Sequence, residues 1–160
     1  METKMNKIAL ALISSTLLIA APAYAQEFTA SQSVEKRVMV ADEEGNLIET
    51  FEEAVAVAPG DNVRYALLYS NDLAAPAEGV VLTIPVPVEM ILIPDSISYP
   101  QNVTVSYSAD GSQSFSVLEN AALDVSEDIN LDDATHVRWT FNEPVQPAES
   151  GTLSFIATLR

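Results

Sequence analysis

The chemistry this chain can perform is bounded by which side chains it lacks. It has one histidine, His136, and no cysteine. A serine nucleophile needs a histidine base and donors for the oxyanion. The five glycines, Gly45, Gly60, Gly79, Gly111 and Gly151, are each at least 15 residues apart. That spacing excludes a G-x-S-x-G elbow, a G-x-G-x-x-G turn and a phosphate-binding loop. Zinc is excluded because one histidine cannot build a nitrogen and sulfur ligand set. His136 reads as a strand-edge residue.

Oxygen donors are abundant, and calcium takes carboxylates and carbonyls. Asp124, Ser126, Asp128, Asn130 and Asp132 fall at every second position, like the first half of an EF-hand loop. The sixth position is Ile129 where that loop needs glycine, and the twelfth is Thr135 where it needs glutamate. A looser calcium site from Asp124, Asp128, Asp132 and Asp133 stays open beside the plainer reading of a solvated acidic loop. Asp42–Glu44 and Glu52-Glu53 read as solvated faces. Carboxylate pairs can cut glycosides, but nothing in the pattern marks one pair as lining a cleft. Tyr99, Tyr107, Trp139 and Phe141 could form a sugar platform, yet Trp139 keeps phase with Val137 and Phe141, which assigns it to a core. Asn102-Val103-Thr104 matches a glycosylation sequon and reads as an accidental match.

The elements that carry these residues are extended. Period-two alternation runs through Val34–Ala41, Leu47–Glu53, Asn62–Ser70, Gly79–Ile84, Val103–Ser108, His136–Phe141 and Gly151–Leu159. Met90–Ile93 and Ser114–Leu118 add two short runs. Asp42–Asn46 and Ala109–Ser112 read as hairpin turns, and Pro59-Gly60-Asp61 as a turn before the clearest strand. Pro85 and Pro87 exclude a central strand there, and Pro94-Asp95 is expected to stop the Met90 strand. Glu119–Thr135 is irregular and acidic, with room for a helical turn or a short strand. Seven to nine short strands with regular turn signals and no amphipathic helix predict an all-β, antiparallel two-sheet sandwich, immunoglobulin-like in type.

Residues 1–25 read as a signal peptide. Lys4 and Lys7 precede 14 mostly apolar residues, Ile8 to Ala21, and Ala23-Tyr24-Ala25 forms an A-x-A cleavage site. The run is short of the ~20 residues that span a bilayer. No cysteine is present for lipid attachment, so no stable membrane anchor is expected after cleavage. Residues 26–33 read as a flexible segment and 34–160 as one domain. The expected mature chain has 22 acidic and 5 basic side chains, a net charge of −17. Such a chain is repelled by phosphate backbones, which argues against nucleic acid.

Three stretches together carry a resemblance. They are Val57-Ala58-Pro59-Gly60-Asp61-Asn62-Val63-Arg64-Tyr65 leading to Ser70-Asn71, Gly79–Pro85, and Val137–Phe141 leading to Ser150–Phe155. Between about Val55 and Leu159 the chain resembles the DUF11 conserved repeat domain of bacterial surface and exported proteins. The resemblance implies an immunoglobulin-like fold and a structural or adhesive role outside the cytoplasm, with no active site. Two features depart from that pattern. The chain holds a single copy, and the Pro-Gly expected before the last strand is Pro147-Ala148. The expected function is a periplasmic or secreted, non-enzymatic structural or interaction module for an unknown envelope or extracellular protein. A calcium- or glycan-binding domain and a strand-pairing assembly protein are the alternatives. No cofactor other than calcium is expected.

Overall fold

The computed structural model describes residues 27–118 and 131–160. The expected signal peptide and the first part of the acidic stretch, residues 119–130, lie outside these described residues. Among the described residues nine strands form two antiparallel sheets: β1 (Phe28–Ala41), β2 (Leu47–Glu53), β3 (Asn62–Asn71), β4 (Val81–Pro85), β5 (Met90–Ser98), β6 (Val103–Ser108), β7 (Ser116–Val117), β8 (His136–Phe141) and β9 (Ser150–Leu159). One sheet has the order β2-β1-β3-β9-β5 and the other β4-β8-β6-β7. The chain crosses between sheets from β3 to β4 to β5 to β6, and again from β8 to β9. This is the expected two-sheet sandwich, the architecture immunoglobulin-like domains share.

Alternation decides what is buried. Val63, Tyr65, Leu67 and Tyr69 of β3 and Leu153, Phe155 and Ala157 of β9 face Val137, Trp139 and Phe141 of β8 across one core. Trp139 lies parallel to Phe155 with centroids 6.3 Å apart, and Tyr69 meets Phe141 edge-on at 5.0 Å. These aromatic contacts hold one sheet on the other, and Trp139 belongs to the core, as its phase with Val137 and Phe141 leads one to expect. Its Nε1 is buried without a hydrogen-bond partner among the described residues, a cost of about 1–3 kcal/mol that packing must offset.

β3 and β9, the central pair, begin with twin turns. In Ala58-Pro59-Gly60-Asp61 the Asp61 N–H donates to the Ala58 carbonyl (3.0 Å), and the Asp61 carboxylate accepts from the Ala58 N–H (2.8 Å). In Gln146-Pro147-Ala148-Glu149 the same two bonds recur at 3.0 and 2.8 Å. Each turn needs positive φ at its third residue: Gly60 has φ +91° and Ala148 +62°. Proline in second place and positive φ in third define a type II turn. At the far end of β3, Asn71 is fully buried. Its side-chain amide donates to the carbonyls of Val145 (2.8 Å) and Ala75 (3.1 Å) and accepts from the Leu73 N–H (3.1 Å). It ties the chain leaving β3 to the chain approaching β9.

Three boundaries differ markedly from expectation. The segment read as flexible is in part strand: β1 starts at Phe28, because Phe28–Lys36 pairs with β3 and Phe28 packs on Tyr69. Pro94 does not stop β5, which continues to Ser98 through a register shift against β9. The Ser96 hydroxyl spans that irregularity: it accepts from the Ile156 N–H (2.8 Å) and lies within donating reach of the carbonyls of Ile93 and Ile156. A bulge at an edge is where a strand tolerates proline. The Ser114–Leu118 strand contracts to Ser116–Val117, with Phe115 turned instead onto the Arg138 guanidinium 3.3 Å away. Within the described part of the acidic stretch, Leu131–Asp133 forms one 3-10 turn, with Leu131 buried.

Candidate interaction surface

Three of the carboxylates, those of Asp110, Asp42 and Asp61, are occupied in holding turns. Asp110 accepts from Ser108 Oγ (2.7 Å), Gln113 N–H (3.0 Å), and the Ser114 N–H (2.9 Å) and hydroxyl (2.5 Å). These donors, Ser114 foremost, hold its carboxyl far below the usual carboxylate range. Asp42 closes the β1–β2 turn by accepting from the N–H groups of Asn46 (2.8 Å) and Glu44 (2.9 Å), which lowers its pKa. Asp61 is lowered by Lys36 at 2.6 Å and by the Ala58 N–H.

His136 begins β8, directly across from Ser108. Their groups do not couple. His136 Nδ1 contacts Thr135 Oγ1 at 3.1 Å, while Ser108 Oγ donates to Asp110 and accepts from the N–H groups of Asp110 and Ser112. Of the four calcium candidates, Asp124 and Asp128 lie outside the described residues. Asp132 and Asp133 sit in the 3-10 turn and line an open depression of about 470 Å³ with Val86, Pro87, Thr135 and Arg160. Arg160 Nη2 donates to the Asp132 carbonyl at 2.8 Å, which places a cation beside this pair. Among the described residues no group of three metal-ligating side chains forms, and no helix is long and apolar enough to cross a membrane.

The prominent surface feature is built by β1 and β2. The first part of β1 pairs with β3, and only Glu35 and Lys36 pair with both neighbours. Beyond them Arg37–Ala41 pairs solely with Leu47–Phe51, so a two-stranded arm extends past the sheet. Register places Val38, Val40, Ile48 and Thr50 on its core-side face and Arg37, Met39, Glu49 and Phe51 on the other. Nothing among the described residues covers the tip: Met39 is 54% exposed, Leu47 68%, Ile48 49% and Val40 42%. The base is anchored. Arg64 pairs with Glu35 and lies 3.6 Å over the Phe51 ring, and Arg37 pairs with Glu49 at 3.6 Å. Below the arm, Gln32–Glu35, Phe51, Glu53 and Ala54 line an open depression of about 500 Å³.

Sequence reasoning recognised this hairpin but not that it projects. The available signal was that apolar side chains fall in both phases at Val38-Met39-Val40 and Leu47-Ile48, so that neither face of the hairpin is wholly polar. No family model matches the chain, no curated protein matches it, and no solved structure matches it.

Proposed function

We propose that this protein is an exported, non-enzymatic interaction module that engages a protein partner through the β1–β2 arm. The arm carries the reading. A two-stranded ribbon is marginal by itself in water, and this one presents apolar side chains on both faces. Contiguous exposed apolar surface rimmed by charge marks interaction sites. Asp42, Glu43 and Glu44 lie at the tip and Glu52 and Glu53 at the base, so anions rim the apolar side chains and select for a partner with a cationic rim. The resemblance to an exported structural repeat domain agrees with this reading, as does the signal-peptide pattern before Gln26.

The test compares the wild-type chain with a Met39→Ser, Leu47→Ser, Ile48→Ser variant in capture experiments from the envelope and extracellular fractions of the source cell. The expected result is a partner retained by the wild type and lost by the variant, with melting temperatures within a few degrees. A partner held equally by both chains sinks the assignment to the arm. Mass spectrometry of the exported chain is expected to place its first residue at Gln26.

A further inference from the structure

The arm is not the only unpaired backbone in the five-stranded sheet. Along Phe28–Ser33, β1 pairs with β3 on one side, and no described strand pairs with the other. Strand polarity identifies the groups left open. The Val34 carbonyl accepts from Ala54 N–H on the open side at 3.1 Å, and the Glu27 carbonyl accepts from Asp72 N–H on the β3 side at 3.1 Å. Alternate residues of an antiparallel strand direct both backbone groups the same way. The N–H and C=O of Phe28, Ala30 and Gln32 therefore face outward.

Proteins protect such edges with charge, proline, bulges or brevity. The outermost strands of the two sheets follow that rule. β2 carries Glu49, Glu52 and Glu53; β5 carries Pro94, Asp95 and a register shift; β4 ends at Pro85; β7 has two residues. Phe28–Ser33, by contrast, is Phe-Thr-Ala-Ser-Gln-Ser, without charge or proline, on a chain whose formal charge is −16.

We infer that this edge pairs with the same edge of a second copy, joining two five-stranded sheets into one of ten strands. A two-fold axis through Ala30 sets Ala30 against its counterpart, and Phe28 against Gln32 in both directions. All three are outward-facing backbone positions, so each pair exchanges two hydrogen bonds and the seam holds six. Residues of one face meet residues of the same face, as antiparallel pairing requires. The occupant follows from charge. A cationic strand finds no anion along this seam, whereas a second copy brings a seam as neutral as the first. The repulsion between the two acidic bodies acts at longer range and is screened by salt. The pairing does not depend on the arm.

Sedimentation equilibrium of the mature chain tests it. The expected result is a concentration-dependent dimer whose association strengthens with added salt. Ala30→Pro removes an outward N–H and is expected to weaken association about tenfold or more while leaving the melting temperature nearly unchanged, since an edge strand accepts proline at such a position. Ala30→Glu and Ala30→Lys each place like charges at the self-contact and are expected to be monomeric. Mixing these two is expected to restore a dimer of one copy of each. A wild-type chain that stays monomeric at its highest soluble concentration overturns the inference. So does a dimer that Ala30→Glu leaves intact, or one that salt dissociates.

Discussion

Ala148 holds a conformation that a side chain disfavours. At φ +62° its Cβ crowds the backbone, at a cost of roughly 1–2 kcal/mol for an L-residue. The twin turn before β3 has Gly60 at the equivalent place, so the strain comes from residue type and not from the turn. Ala148→Gly is expected to stabilise the fold by about 1 kcal/mol, the relief being reduced by the greater freedom of glycine in the unfolded chain. Thermal denaturation checks it, and a lower melting temperature contradicts it. Gly151 shows the reverse constraint. A Cβ there would lie 2.6 Å from the Tyr69 hydroxyl and 2.9 Å from its ring, which the core holds in place. Gly151→Ala is expected to destabilise by about 1–3 kcal/mol, measured by urea unfolding.

Asp110 supplies a pH signature. Its folded pKa is depressed by the hydroxyl and backbone donors of the 108–114 turn. A depressed carboxylate stabilises the fold above its unfolded pKa of about 4 and loses that contribution as pH falls toward the folded value. The melting temperature of the wild type is expected to exceed that of Asp110→Asn by a constant margin from pH 7 to about pH 5. The margin narrows below about pH 4, where the unfolded chain takes up the proton first. A margin that widens on acidification reverses the assignment.

β5 illustrates how a strand passes a proline. Expecting Pro94 to end it was sound for a central strand, since proline cannot donate to a ladder. The strand survives because it lies at the sheet edge and because Ser96 takes over the Ile156 N–H at the irregularity. Ser96→Ala leaves that N–H without its partner in a half-buried position. It is expected to cost about 1–3 kcal/mol, with amide exchange at Ile156 accelerated more than at Phe155. Equal exchange at both sites rules out the local role. The β1–β2 arm is the opposite case, an element whose two strands pair fully with each other but whose side chains lack cover. Its hairpin was legible from alternation and from the Asp42–Asn46 turn. Its projection was not, because that depends on where β3 begins to pair with β1, a relation between segments about 29 residues apart.

Charge acts over the entire surface. All five cations of the expected mature chain have partners in the fold: Lys36 with Asp61, Arg37 with Glu49, Arg64 with Glu35 and Phe51, Arg138 with Phe115, and Arg160 with the Asp132 carbonyl. The excess anions repel one another, and salt screens that repulsion more than it weakens three partly exposed ion pairs. Raising sodium chloride from about 0.05 to about 0.5 M is expected to raise the melting temperature. Calcium separates the alternative reading: a site using Asp132 and Asp133 requires a rise with millimolar calcium that sodium at equal ionic strength does not reproduce.

The two-layer all-β class and the buried faces of β3, β8 and β9 were determined by the chain's own alternation, because an extended segment with one apolar side has a single economical way to be buried. The absence of histidine pairs, cysteine and clustered glycine likewise bounded the chemistry before any coordinates. Strand ends, the passage of Pro94, the committed carboxylates of Asp42, Asp61 and Asp110, and the open edge at Phe28–Ser33 were decided only in three dimensions. Each depends on which distant backbone group lies alongside, and hydrogen bonds between segments far apart in the chain leave no local period in its residues.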